Sequence, residues 1–273
     1  MARPTYTARL LKKICISESA QCFHLEFIID ELEHFDLAAG QFLSAVAVDQ
    51  RGKSQTRAYS IASAANANRF DLCVNRVEGG FFSNHLADLT DLPVGGTIQV
   101  HGPHGNFNLK EPLTDSIFVA TGTGIAPMRA FTQALFPGSG PDAGADLSQG
   151  KQIWLVYGTR HASELYYSDY FESIAAEHAN FHYIATLSRA QEDWTGRRGY
   201  VQDYVREIVE SRNPPSTIPN PALIAAPSDG PPPAPVFKIY TYICGLNNMV
   251  AGVRDLLTGL GWHKKQILFE RYD

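Results

Sequence analysis

Cysteine is scarce in this chain of 273 residues, with only four. Cys15, Cys22, Cys73 and Cys244 stand too far apart for a paired zinc knuckle or the clustered thiolates of an iron-sulfur centre, so no metal site and no disulfide framework are expected. No apolar run approaches the length that spans a bilayer. The opening MARPTYTARLLKKI runs straight into a strand-like pattern without the apolar core of a secretory signal. The expectation is a cytoplasmic protein with no membrane insertion. Basic residues are not in excess either. A formal net charge of -5 gives no general attraction for nucleic acid, and none is expected as a partner.

What the chain does have is 44% apolar residues over a length sufficient for two domains, each with its own core. From Tyr6 to about residue 100 the apolar period is mostly two: Phe23, Leu25, Phe27 and Ile29 alternate with His24, Glu26 and Ile28. Similar short runs follow at GQFLSAVAV, RFDLCVNRV and TIQVHG, separated by Gly, Asn and Asp turns, which predicts an antiparallel barrel. After Thr114 the pattern becomes strand then helix, repeatedly: SIFVATGTG before IAPMRAFTQALF, then QIWLVYGT, FHYIATLS, FKIYTYICG and QILFERY. Val201, Tyr204, Val205, Ile208 and Val209 form one helical stripe, and Val250, Val253, Leu256, Leu257 and Leu260 another. Such alternation implies a parallel sheet with ligands at the carboxyl ends of its strands. The boundary is expected near residues 108–115, giving domains 1–112 and 113–273. Two Gly/Pro-rich loop insertions are expected, near 137–150 and 213–235. The second holds nine of the sixteen prolines and reads as a surface insertion rather than a polyproline partner site.

Three stretches carry chemistry. In RAYSIAS, Arg57 suits a phosphate, Tyr59 a flat aromatic ring and Ser60 a hydrogen-bonding ring edge, with Ala58 between them; taken alone, the stretch equally fits a strand facing solvent. In GGFFSNHLADL, Ser83 reads as an N-cap or first-turn residue of a helix whose free amides suit a phosphate. The glycine turn of TGTG, with Pro127 opening the next helix, is a pyrophosphate seat or a tight structural turn. Three arginines in loops, Arg189, Arg197 and Arg198, suit the extra charge of a 2′-phosphate, or are plain surface charge when taken alone.

The order RAYSIAS, DLCVNRV, GGFFSNHL, GPHGNF, TGTGIAPMRAF, LSR with RRGYVQ, YICGLNNM and FERYD resembles the ferredoxin-NADP+ reductase family, with CGLNNM and the terminal ExY most similar to its plant-type branch. The resemblance implies a Greek-key β-barrel FAD domain followed by a Rossmann-like parallel-sheet NADP(H) domain. Arg57, Ala58, Tyr59, Ser60, Cys73, Val74, Asn75, Gly80, Phe82, Ser83 and Tyr272 would then hold FAD. Thr123, Gly124, Ser188, Arg189, Arg197, Arg198, Tyr200, Cys244 and Gly245 would hold NADP(H), and Ser60, Cys244, Glu270 and Tyr272 would form the catalytic centre. The chain departs from the plant-type pattern in two places: Asp273 follows the terminal tyrosine, and NRVEGG has no counterpart of the tyrosine that stacks on the FAD adenine.

The implied activity is hydride exchange between NADPH and flavin N5, coupled to single-electron exchange with ferredoxin or flavodoxin. The protein is expected to work as a monomer, with Arg51, Lys53, Lys264, Lys265 and Arg271 as candidates for a basic docking face. The alternatives are the reductase component of an oxygenase or another electron-transfer chain, and a flavin-binding redox sensor.

Overall fold

The computed structural model describes residues 4–48, 51–88, 90–138, 142–212 and 237–272. The expected insertion at 213–235 and Asp273 lie outside the described residues, as does part of 137–150.

Period-two alternation builds the first unit. Strands β1 (Tyr6–Ser17), β2 (Cys22–Ile29), β3 (Phe42–Val48), β4 (Ser54–Ser60), β5 (Arg69–Asn75) and β6 (Thr97–His104) form an antiparallel sheet in the order β4-β3-β6-β1-β2-β5. A bridge between Ile61 and Leu72 brings the end of β4 to β5, so the sheet curls into a barrel. Leu25, Phe27 and Ile29 fill its interior beside Leu10, Leu43 and Phe70. His24, which the alternation assigns to solvent, is buried, because the second unit covers that face of β2 and its Nδ1 lies 3.1 Å from the Tyr167 hydroxyl.

The second unit is an all-parallel sheet of β7 (Asp115–Thr121), β8 (Ile153–Thr159), β9 (Phe181–Leu187), β10 (Arg197–Arg198), β11 (Ile239–Leu246) and β12 (Ile267–Tyr272), ordered β10-β9-β8-β7-β11-β12. Helix α1 (Phe81–Ala87) belongs to the barrel; α2 (Ile125–Leu135), α3 (Ser168–Glu177), α4 (Val201–Ser211) and α5 (Asn247–Gly259) cover the parallel sheet. Both sheet faces are buried, which is why β7 reads as a continuous apolar run. Ile117 and Val119 pack in one core with Val205 and Val253, whereas Phe118 and Ala120 pack in the other with Phe131 and Tyr242. The stripes on α4 and α5 face the first of these cores, with Leu260 just past the end of α5.

The two units share apolar packing: Cys22, Ala62 and Cys73 of the barrel lie in one cluster with Ile125, Phe131 and Tyr166 of the parallel-sheet unit. This common core sets the barrel rim against the carboxyl ends of β7 and β11. Among the described residues no helix is long and apolar enough to cross a membrane.

Candidate active site

Residues of the barrel rim form one wall of the site. Pairing of β4 with β3 sets Ser60 opposite Phe42 and Arg57 opposite Ala45. Alternation leaves Arg57 exposed and buries Ser60. The Tyr59 ring lies 6.0 Å from that of Phe82, and burial pushes its phenol up to about 12. On β5, Cys73 and Val74 are buried, and the side-chain oxygen of Asn75 is buried with no hydrogen-bond partner among the described residues. An orphaned acceptor is costly unless a ligand donates to it. A flavin, which carries a ring N–H, meets that need.

In helix α1, Ser83 takes the first-turn position, one of the two expected for it. The N-cap is Gly80, and Ser83 is the third helical residue. The Ser83 hydroxyl accepts from the Val77 amide at 3.1 Å, so it pins the 77–83 loop instead of capping the helix. The first-turn amides of α1 have no acceptor within the helix, a geometry that suits a phosphate.

The opposite wall comes from the carboxyl ends of the parallel strands. Cys244 on β11 stands beside Glu270 on β12 and Ala120 on β7, and Leu246 stands beside Tyr272. Tyr272 donates a 2.6 Å hydrogen bond to Ser60, joining residues 212 apart in sequence across the two units. The four expected catalytic residues therefore meet at one junction. Burial raises the Glu270 carboxyl to about 7, partly offset by a hydrogen bond from Ser60. Burial also pushes the Cys244 thiol and the Tyr272 phenol well above their ordinary ranges, so both stay protonated at neutral pH. Glu270 also lines an open depression of about 480 Å³ with Asn247, Phe269 and Arg271.

The turn that enters this junction tolerates only glycine at key points. A Cβ on Gly124 would overlap the Cys244 carbonyl, and one on Gly245 the Thr121 hydroxyl. Gly122, by contrast, has φ +54° and open space beyond it. The backbone of Gly122, Thr123 and Gly124 is thus held close to β11 on one side and left accessible on the other, which suits a pyrophosphate.

The basic cluster separates into distinct roles. Ser188 and Arg189 follow the end of β9, and Arg189 N–H donates to the Arg160 carbonyl at 3.0 Å. Arg160, at the end of β8, is exposed like Arg189 and was not among the sequence-based candidates. Its proximity follows from the parallel register of β8 and β9 (Thr159 with Leu187), which YGTR alone does not disclose.

Arg197 and Arg198 alternate on the short β10. The Arg197 guanidinium turns to α4, forming a fork with Glu207 at 2.6 and 3.1 Å over the Tyr204 ring. Arg198 donates to the carbonyls of Ala190, Gln191, Glu192 and Trp194, holding the 190–194 turn. Both guanidiniums are thus engaged within the protein. Tyr200, 68% exposed, stands open at the head of α4.

The docking candidates also divide. Lys264 and Lys265 precede β12, in the short turn at the opposite end of that strand from Glu270 and Tyr272. Arg51 and Lys53 likewise lie at the far end of β4 from Ser60. Arg271 is the one of the five that flanks Glu270 in sequence and lines the same depression.

The FAD-binding domain of oxidoreductases matches residues 7–109 and the NAD-binding domain of oxidoreductases matches residues 118–255. The chain is 39% identical over 243 residues to ferredoxin-NADP reductase B of Sorangium cellulosum, covering 88% of this chain and 86% of that protein. It is 30% identical to the reductase component DmpP of phenol 2-monooxygenase from Pseudomonas, covering 64% of this chain and 46% of that protein. Relative to several of the other curated proteins it matches, the chain spans roughly half their length. A ferredoxin-NADP+ reductase from Plasmodium falciparum, solved with 2′P-AMP, superposes with a TM-score of 0.74 at 23% identity, covering 98% of this chain and 96% of that one.

Proposed function

The chain belongs to the ferredoxin-NADP reductase family of FAD- and NAD-binding oxidoreductases, and we propose that it oxidises NADPH and delivers electrons singly to a small ferredoxin-type protein. One observation carries this reading: Ser60 of the barrel and Cys244, Glu270 and Tyr272 of the parallel-sheet unit converge on a single junction, closed by the 2.6 Å Tyr272–Ser60 bond. When bound, FAD would supply a hydride-accepting ring able to pass electrons on singly.

The protein's part is to hold and orient. Arg57 would grip the FAD pyrophosphate with the α1 amides, Tyr59 would lie against the ring system, and Asn75 would offer its orphaned oxygen to a ring N–H. Ala58, Cys73, Val74, Gly80 and Phe82 shape the seat. Gly124 and Thr123 present the backbone to the second pyrophosphate, while Cys244 and Gly245 border the nicotinamide. Tyr272 occupies the approach to Ser60 and has to release that hydroxyl for the nicotinamide to enter, at a cost of about 1 kcal/mol. Glu270, poised near neutrality, holds or yields a proton beside Ser60.

The 2′-phosphate reading shifts with the geometry. Arg189, with its neighbour Arg160, supplies the guanidiniums, Ser188 a hydroxyl and Tyr200 an exposed ring for the adenine. Arg198 holds the turn beneath them and Arg197 braces α4. Replacing Arg189 with Ala is expected to raise the KM for NADPH about tenfold, the loss of one charge-assisted hydrogen bond, with little change for NADH. Steady-state ferricyanide reduction with each nucleotide checks this; equal losses with both would place the 2′-phosphate elsewhere.

Tyr272→Ser is expected to tighten binding of NADP+ and to improve turnover with NADH, because the nicotinamide no longer competes with the phenol ring. Titration of NADP+ against the flavin spectrum tests it; unchanged affinity and unchanged nucleotide preference would mean that the ring does not gate the site. The four free thiols suit a reducing cytoplasm. A reductase component of an oxygenase would use the same two units with a different acceptor, as the resemblance to the phenol 2-monooxygenase reductase illustrates.

A further inference from the structure

A buried ionic contact joins the two units away from the reacting centre. Arg129 lies on α2, one turn after the Gly122–Gly124 turn, and its guanidinium crosses to the barrel. Its Nη1 donates to the Ala62 carbonyl at 2.6 Å and to the Asp71 carboxylate at 2.9 Å. The two charged side chains are 14% and 18% exposed, so the pair is largely withdrawn from solvent. Tyr167 and Tyr170 flank the guanidinium, with ring centroids 5.0 and 5.7 Å away. Tyr167 is held at φ +61°, unusual for a residue with a side chain, and its hydroxyl meets His24 of β2 at 3.1 Å. Asp71 is further tied by its amide to the Ser63 hydroxyl at 3.0 Å and by its carbonyl to the Ala62 amide at 2.8 Å.

The placement of these groups is what gives the contact meaning. Ala62 lies two residues beyond Ser60, and Asp71 lies on the same face of β5 as Cys73 and Asn75. Arg129 follows the backbone turn assigned to the nucleotide pyrophosphate. One guanidinium therefore grips both segments of the flavin seat from the helix that extends the nucleotide seat. Simple cohesion does not require a buried charge here, since the shared apolar cluster already joins the units and a desolvated ion pair contributes little net stability. An ion pair with several hydrogen bonds does fix direction and register, and hydride transfer is steeply sensitive to both.

We propose that Arg129 is a positioning residue that, through Asp71 and the Ala62 carbonyl, sets the register of the nicotinamide against the flavin. The proposal rests on the NADPH-flavin reading above. It assigns Arg129 no contact with either cofactor. Its loss should alter the limiting rate of hydride transfer without weakening the grip on either nucleotide.

The test uses the FAD-loaded protein and its Arg129→Gln, Asp71→Asn and double variants, with Arg129→Lys as the conservative control. Stopped-flow reduction by NADPH gives the limiting rate and apparent affinity, and calorimetric titration with 2′P-AMP measures the nucleotide grip independently of turnover. FAD content and the long-wavelength charge-transfer absorbance of the nicotinamide-flavin complex are recorded on the same samples. Each single variant should lower the limiting rate about 10- to 100-fold, the effect of a misplacement near 1 Å. The charge-transfer absorbance should fall with the rate, while 2′P-AMP affinity and FAD content stay unchanged. The double variant should be no slower than the slower single one, because both remove the same contact, and Arg129→Lys should recover part of the rate. Unchanged limiting rates, losses that follow FAD content, or additive losses in the double variant would overturn the positioning role alone. A wild-type protein that binds FAD but is not reduced by NADPH would overturn the functional reading and this inference together.

Discussion

Ser60→Ala is expected to slow reduction of the bound flavin by NADPH about 100-fold, the usual worth of a positioned proton-transfer or hydrogen-bonding group, while the purified protein stays yellow. The physical ground is the place of the hydroxyl. Ser60 is 6% exposed, accepts from Tyr272 at 2.6 Å and hydrogen-bonds Glu270, so its removal cuts the link between both residues and the barrel. FAD retention should survive, because the groups assigned to the pyrophosphate lie elsewhere. Stopped-flow absorbance with NADPH measures the rate, and loss of FAD from the variant would contradict the assignment.

Glu270 adds a pH dependence to the same centre. Its carboxyl titrates near 7, well above the ordinary 4.5, because burial penalises the charged form. Glutamine imitates the protonated carboxyl, so Glu270→Gln should match the wild-type pH dependence below 7 and lose the inflection that wild type shows around it. Stability follows the same titration. Between about 4.5 and 7 the folded protein binds a proton that the unfolded chain has released, so this residue's contribution falls as pH rises through that window and levels off above it. Urea midpoints across this range should show a shallower decline for the Gln variant.

Arg57→Ala is expected to weaken FAD retention about 100- to 1000-fold, as the loss of two charge-assisted hydrogen bonds to a phosphate, and to yield largely colourless protein. Arg57 sits exposed on the outer strand of the barrel sheet, with its Nη1 on the neighbouring Thr56 carbonyl at 2.9 Å. That internal contact orients the guanidinium and leaves other donors for an anion. Arg57→Lys should not restore full retention, since an ammonium cannot offer the planar fork. Flavin absorbance per protein after gel filtration measures the effect, and full retention in the Ala variant would remove Arg57 from the seat. Ser60 and Arg57, three residues apart, should therefore fail in different ways.

The architecture was legible because it depends on periodicity. The alternation in β2 and the apolar run of β7 follow from burial of one face or of two. The order of short motifs likewise anticipated that Ser60, Cys244, Glu270 and Tyr272 would meet, although no local pattern states that Tyr272 bonds to Ser60. What was not legible was competition for donors and acceptors. Ser83 was available as a cap until the fold set the Val77 amide 3.1 Å from its hydroxyl. Arg197 and Arg198 look alike in RRGY, yet alternation on β10 sends one to Glu207 and the other to four carbonyls. Arg160 becomes a neighbour of Arg189 only through strand register, and His24 is buried only because another unit lies on it. Residue type shows what a side chain can bind; the partner that reaches it first is a tertiary fact.

The most direct test of the account is anaerobic mixing of the FAD-loaded protein with NADPH, then with oxidised [2Fe-2S] ferredoxin, while the visible spectrum is followed. The flavin should be bleached rapidly by NADPH and more slowly by NADH, and its absorbance should return as the ferredoxin is reduced. A protein that holds FAD yet keeps its oxidised spectrum in excess NADPH would contradict it.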